Sequence, residues 1–448
     1  MDKINQIFEH LNLFHAFIAS PFPSDIEFFC KNHPEKIAGI SFIAPNEINN
    51  SAFKNSSHKI MIIKSDTGAT NAAALSLKHE IPDISIFEIK NYEILPWTDI
   101  AIDHPTELVE NISTYFSELP CKDANYSMAT MQGQISDIHY TVQGSGPPLI
   151  LLPFTLSAAQ WEPVIPELAK IFTVIVASGP SLGFIPTLEG RAFLPTFQAM
   201  FSTLVSFMKI PNQAKVLELG CGTGALCRQA LRLGNDIAIT GMDINKYLLN
   251  GAAQLAEDEG IHVNKCFGKD DITDDQFSRQ NQLNFSLGDA TNIPFPDNFF
   301  DALYSVTVLE ECDSVEALNE IYRVVRPGGT IGIIVRAIDM PQWLNIDVKE
   351  KLWRKITVPP QLVSSSGVAD KSLYNKMEAA NFKNLIMFPY MFSVCKRSDP
   401  SIYNWYLRRI YQTLDEEEQR ELGAAIDNVT DDSGLIYSQP VHCCVGWK

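Results

Sequence analysis

Three alternating glycines, Gly220, Gly222 and Gly224, close the run Val216-Leu-Glu-Leu-Gly-Cys-Gly-Thr-Gly224, and acids recur downstream at Asp243, Asp289, Glu310 and Glu311. Glycines at this spacing let a turn take unusual dihedrals and bring backbone N–H groups close to a ligand. A carboxylate such as Asp243, ending the next apolar run, could hold two neighbouring hydroxyls. The chemistry implied is the binding of a nucleotide-like cofactor. Which cofactor stays open at this level. Gly220, Gly222 and Ala225 also satisfy the G-x-G-x-x-G/A dinucleotide fingerprint, with Asp243 near the spacing of its ribose-binding acid.

The elements that must position these residues alternate regularly. Val216 to Leu219 reads as a buried parallel strand, and Ala225 to Leu233 as the helix after a tight turn. Ile237 to Asp243 reads as a second strand and Phe285 to Ala290 as a third, each ending near an acid. Ala302 to Leu309 reads as a fourth strand and Ala317 to Val325 as a helix stopped by Arg326-Pro-Gly-Gly329. Ile331 to Val335 reads as a fifth strand. A loop at the carboxyl end of the first strand of such a sheet is the expected crevice.

This succession resembles the class I S-adenosylmethionine-dependent methyltransferases, in particular the branch that includes the ubiquinone and menaquinone C-methyltransferases. The resemblance covers roughly residues 195–448 and is densest over 216–335. It implies S-adenosyl-L-methionine as cofactor, with Glu218, Gly220, Cys221, Gly222, Thr223 and Gly224 around the methionine part. It further implies Asp243 at the ribose, Asp289 accepting from the adenine amine beside the Ala290 N–H, and Ile244 and Ser305 in the same cofactor-binding set. The implied reaction is in-line methyl transfer to a small-molecule methyl acceptor, an enzymatic activity that requires no universal catalytic residue. Glu310 and Glu311, past the fourth strand towards the acceptor, are the best candidate bases, ahead of Tyr304 and His442. Phe193, Phe197 and Phe201 stand at helical spacing, to roof the cofactor or to pack the core. Two other readings stay open: a cofactor-binding scaffold that methylates nothing, and a nicotinamide-dependent oxidoreductase. Asp243 and Asp289 can also serve as plain helix or turn caps.

Composition narrows the partners. The 448 residues can fill two or three domains, and 46% hydrophobic with 20% charged residues suits a soluble globular chain. A net charge of −18 argues against nucleic acid and against an anionic membrane surface. No apolar run reaches the ~18 residues that span a bilayer. The start lacks a basic region followed by an apolar core, so no secretory signal is expected. Ile4, Ile7, Phe8, Leu11 and Phe14 instead share one helix face, suited to packing on the chain's own core. The nine cysteines are scattered without C-x-x-C or metal-ligand spacing, so no metal is expected and a cytoplasmic location fits. Oligomeric state is not readable.

The expected fold class is α/β, a Rossmann-like doubly wound methyltransferase sheet preceded by a second α/β unit of α/β-hydrolase-like character. The expected domains are 1–130, 131–192 and 193–448. In the first, residues 36–44, 58–64 and 84–89 read as strands, and residues 71–79 and 105–119 as helices. A polar break at 121–130 suggests a linker. The second opens with a strand over 135–142, another over 148–154, a helix over 158–169 and a strand over 172–177. Ile138 to Pro153, Trp161 and Phe172 to Pro180 resemble the opening strands of α/β-hydrolases, and 58–120 their closing half, in permuted order. Gly179-Pro-Ser-Leu-Gly183 matches G-x-S-x-G, yet Pro186 suits no helix directly after Ser181, and His104 reads as a cap or surface residue. In the carboxyl third, 265–282 reads as a solvated insertion and 339–366 as irregular, a region that the methyltransferase resemblance implies covers the substrate. Residues 373–380 and 403–425 read as helices, 385–394 and 435–445 as strands.

Overall fold

The computed structural model describes residues 3–45, 48, 53, 58–66, 68–92, 100–154, 158–179, 182, 185–232, 236–266, 282–359, 361, 363–396, 406–407, 410, 413–429 and 434–448. The chain divides into two compact units, Met1–Pro186 and Thr187–Lys448.

The first unit begins with α1 (Lys3–His10), β1 (Ala16–Ser20) and α2 (Pro23–Asn32). β2 (Ile37–Ile43), β3 (Ile60–Ser65), α3 (Gly68–Glu80), β4 (Ser85–Ile89), α4 (Ile100–Asp103) and α5 (Pro105–Ser117) follow. β5 (Met131–Ile135), β6 (Ile138–Gln143), β7 (Pro148–Leu151), α6 (Ile165–Leu168) and β8 (Thr173–Ser178) complete it. They build one eight-stranded sheet in the order β4-β3-β2-β1-β7-β8-β6-β5. Only β6 runs against its neighbours, β5 and β8. The expected domains 1–130 and 131–192 therefore share a single sheet through the parallel β1–β7 pair. Apolar clusters cover both of its faces, which is why its inner strands are apolar on both sides.

Several expectations are corrected here. The stripe of α1 buries Ile4, Ile7, Phe8 and Leu11, but Phe14 lies past the helix end and is 73% exposed. The strand expected over 135–142 is β6, and an unexpected β5 before it completes a hairpin turned at Ser136 with φ +56°. The helix expected over 158–169 is a 3-10 turn at Ala158–Trp161 and a short α6, because Pro163 and Pro166 remove N–H donors from its middle. The 121–130 break is not a free linker. Asp123 accepts from the N–H groups of Phe14 and His15, and Tyr126 donates its hydroxyl to the Leu11 carbonyl.

The second unit runs from α7 (Ile185–Phe193, starting just before the unit boundary) and α8 (Pro195–Met208) into β9 (Lys215–Leu219) and α9 (Ala225–Leu231). Then come β10 (Ala238–Asp243), α10 (Lys246–Asp258), β11 (Val263–Cys266), β12 (Leu283–Leu287) and β13 (Phe300–Val306). α11 (Ser314–Val324), β14 (Val325–Arg336), β15 (Trp343–Leu344), α12 (Glu350–Ile356) and α13 (Leu373–Ala379) follow. β16 (Lys383–Cys395), α14 (Glu416–Asp427) and β17 (Ile436–Trp447) end the chain. The sheet order is β11-β12-β10-β9-β13-β14-β17, with β15 and β16 also paired to β17. All pairs are parallel except those of β17. Strand order reverses at β9, so the crevice opens at the carboxyl ends of β9, β10 and β13.

Of the expected insertion, residues 267–281 lie outside the described set, as does most of 397–412. The helix expected over 403–425 starts afresh at Glu416, where Asp415 and Glu418 form a reciprocal capping box. The 339–366 stretch is not wholly irregular, since it contains β15 and α12.

Candidate cofactor and acceptor site

The loop between β9 and α9 is built on left-handed glycines. Gly220 has φ +70°, and a Cβ there would stand 2.2 Å from Val308 Cγ2. Only glycine lets the loop lie against the turn after β13. Gly222 has φ +55°, and a Cβ there would meet nothing within 4 Å. The space before Gly222 is open, as a ligand cradle requires. The N–H groups of Gly220 and Cys221 both donate to the Met242 carbonyl, at 2.8 and 3.0 Å.

Asp243 ends β10 beside this loop, taking the Gly222 N–H on Oδ2 at 3.0 Å and the Asn245 N–H on Oδ1 at 3.2 Å. Its dry surroundings push its carboxyl pKa up, against those N–H bonds. Ile244, next in the chain, is an aliphatic side chain left 71% exposed on the rim. Asp289 follows β12, exposed, and takes the Thr291 N–H and hydroxyl on Oδ1, both at 2.8 Å. Ala290 packs beside it. The expected cofactor residues thus gather at three adjacent strand ends. Ser305 belongs to their support. It is fully buried and donates to the Leu219 carbonyl at 3.1 Å.

Beneath the loop lies a closed polar network. Glu218 is 3% exposed and accepts from the Tyr304 hydroxyl at 3.1 Å. Burial pushes its carboxyl pKa up to about 7, against hydrogen bonds from Cys227 and Tyr304 and the charge of Arg228. Tyr304, an expected secondary base, is spent in this network and packs on Phe201.

A pH signature follows. Between the ordinary value of 4.5 and about 7, the unfolded chain has lost this proton while the fold retains it. Its contribution to stability is therefore complete below pH 4.5 and disappears as pH rises to about 7. The expected slope is about 1.4 kcal/mol per pH unit. Urea unfolding of Glu218→Gln should lack this slope. Parallel pH curves for the two proteins would show Glu218 ionised throughout.

On the far side of β13, Glu310 is fully buried, and its Oε1 takes the Arg336 backbone N–H at 2.8 Å. The Arg336 guanidinium stands 3.6 Å from the same oxygen and 3.4 Å from Glu311 Oε1. Glu310 Oε2 is buried with no hydrogen-bond partner among the described residues. Burial raises this carboxyl's pKa, and Arg336 opposes the shift. Ser364 to Val368 strap the turn, with the Ser364 N–H on the Glu310 carbonyl at 2.8 Å and the Val368 N–H on Leu309 at 2.9 Å. Neither acid begins a helix, because α11 is capped by Asp313 through the Val315 and Glu316 N–H groups.

The remaining candidates separate. Phe197 and Phe201 are 2% exposed and belong to the core, while Phe193 is 42% exposed. His442 Nε2 lies 2.7 Å from Asp339 Oδ1, which ties β17 to the loop after β14. Ser181 lies outside the described residues. His104 stands at the mouth of α5, bonded to Glu107 at 3.1 Å. Sequence reasoning missed Arg336, Arg228 and Glu189. Arg336 had a signal, as a cation ending a strand next to two acids, and the other two had none. Among the described residues no cluster of potential ligands could hold a metal ion, and no helix is long and apolar enough to cross a membrane.

Residues 217–333 match a family model described as a methyltransferase domain. Over 170 residues the chain is 29% identical to the sterol 24-C-methyltransferase erg6 of Aspergillus fumigatus, covering 38% of either protein. Over 135 residues it is 33% identical to the sterol 24-C-methyltransferase ERG6B of Gibberella zeae, covering 30% of this chain and 29% of that one. The chain spans well under half the length of these curated relatives. Among solved structures, the YcgJ protein of Bacillus subtilis aligns with 56% of this chain and 98% of its own, at 14% identity and TM-score 0.37. The matched segment holds the glycine loop, Asp243, Asp289 and the Glu310 turn, within a sheet of class I methyltransferase fold.

Proposed function

We propose that this chain transfers the methyl group of S-adenosylmethionine to a carbon atom of a small organic acceptor of the sterol class. The observation that carries the cofactor is the open left-handed turn at Gly222, which stands against Asp243 with the exposed Ile244 beside it. The acceptor class follows the sterol methyltransferases matched by residues around that turn. When bound, S-adenosylmethionine supplies an electrophilic methyl group on a sulfonium.

The chain's own residues hold and dehydrate the reactants. Gly220 to Gly224 cradle the methionine part, Asp243 holds the ribose hydroxyls, and Ile244 covers one adenine face. Asp289 takes the adenine amine. Methylation leaves a neutral carbon nucleophile positively charged until a proton departs. Glu310 Oε2, buried and without a hydrogen-bond partner among the described residues, accepts that proton, and its raised proton affinity suits the task. The 364–368 strap holds the turn in place through the Ser364 and Val368 N–H groups.

The finer assignments have their own support. A quinone acceptor would call on the same loop and acids, so acceptor choice is decided by assay. Labelled methyl appearing on a sterol supports the present reading, and label on a demethylated quinone instead would return the chain to that branch. In the first unit, β5 to β8 come after β1 to β4 in the chain but beside them in the sheet, with β6 antiparallel. That order supports a permuted α/β-hydrolase scaffold. Its chemistry is lost in this reading, since the turn after β4 offers Asn91, whose N–H donates to Asp66 Oδ2. The free cysteines among the described residues support a reducing cytoplasm.

The cofactor assignment is tested by titration calorimetry. S-adenosylhomocysteine should bind and stabilise the fold by about 2.7 kcal/mol at a hundredfold excess over Kd, whereas NAD should do neither. Binding of NAD alone would replace this reading with the oxidoreductase.

A further inference from the structure

The guanidinium of Arg228 is fully buried directly behind the glycine loop. Its Nη1 donates to the carbonyl of Thr223, inside the loop, at 2.8 Å. Its Nε donates to Glu259 Oε1, past the end of α10, at 2.9 Å. Its Nη2 pairs with Glu189 of α7. The next residue, Gln229, donates to the Ala192 carbonyl of the same helix at 2.7 Å. Burying a cation costs several kcal/mol unless its partners are well placed, and an apolar side chain would fill such a place without that cost. Here one planar fork touches both the loop and the helix that leads into α8. A change in either must alter its bonds to the other.

We propose that Arg228 is a positioning residue, a latch coupling the cofactor loop to α7, so that occupancy of the loop tightens the helix and Glu189 holds the cofactor in. The latch rests on the proposed cofactor. Both bonds stand in the structure, so a ligand that fixes the Thr223 carbonyl on Nη1 also fixes the guanidinium that holds Nη2 against Glu189.

Amide exchange read by mass spectrometry tests this, together with stopped-flow release of S-adenosylhomocysteine. In the unaltered protein the ligand should slow exchange in residues 185–193 as well as in the loop. Glu189→Gln leaves Arg228 bonded to the Thr223 carbonyl and to Glu259, which it shares with Arg232, so the fold should persist. It should abolish ligand-dependent protection of α7 and speed release about tenfold or more, the worth of one charge-assisted hydrogen bond. Glu189→Asp should restore part of both. Glu259→Gln removes equal charge from Arg228 without touching α7 and should leave the coupling in place. If Glu259→Gln matches Glu189→Gln, or if Glu189→Gln keeps α7 protection, Arg228 is only structural and the latch is overturned. If the unaltered protein binds no S-adenosylhomocysteine, the cofactor reading itself falls, and the latch with it.

Discussion

Gly222→Val is expected to weaken S-adenosylhomocysteine binding at least ~100-fold, about 2.8 kcal/mol. The ligand-free fold should lose only about 1–3 kcal/mol, the cost of left-handed strain at a branched residue. The asymmetry arises because a Cβ at Gly222 meets no protein atom within 4 Å and so occupies only the ligand's approach. Gly220→Val should behave oppositely. Its Cβ would stand 2.2 Å from Val308 Cγ2, so unfolding rather than binding would report the damage. Calorimetric titration and urea unfolding of both variants separate the two effects. Unchanged affinity in a folded Gly222→Val protein would mean that no ligand approaches this turn.

Glu310→Gln is expected to reduce turnover by roughly 10²–10⁴-fold, as loss of a general base does, with cofactor affinity nearly intact. The fold should tolerate this variant. A glutamine oxygen can still take the Arg336 N–H, and Glu311 still stands 3.4 Å from the Arg336 guanidinium. Glu311→Gln should have the smaller effect on turnover, since its carboxylate is partly exposed and turned to Arg336. Single-turnover rates with a sterol acceptor decide between them. Full activity in Glu310→Gln would remove it from proton transfer and leave it as the anchor of β14.

What could be read from the sequence was local in the chain. The glycines, Asp243 and Asp289 stand at fixed offsets from short apolar strands, and those offsets bring them to adjacent strand ends without any knowledge of distant partners. β1 went unread because Ala16–Ser20 is a four-residue apolar run closed by a serine, with no alternation, soon after a helix whose stripe invited continuation to Phe14. β5 went unread because Met131-Gln-Gly-Gln-Ile135 is largely polar and exposed, and only the short turn Ser136-Asp137 parts it from β6.

The burial of Glu310 was invisible for a different reason. It is imposed by Ser364 to Val368, whose N–H groups reach back across α11 and β14. Likewise nothing near Arg228 in sequence announces Glu189, which precedes it by a helix and a strand. Such contacts arise from packing, where tertiary structure overrides what a local pattern can state.

The strand order of the first unit also sets a timetable for synthesis. β1 to β4 leave the ribosome first and can form a partial sheet, yet the remaining edge of β1 belongs to β7 at Pro148–Leu151. Until those residues emerge, Phe17, Ile18 and Ala19 present an unpaired apolar edge of the kind that recruits other chains. The nascent protein therefore passes through an interval in which its most central strand is its most exposed one. During that interval slow translation or scarce chaperone would favour aggregation over closure.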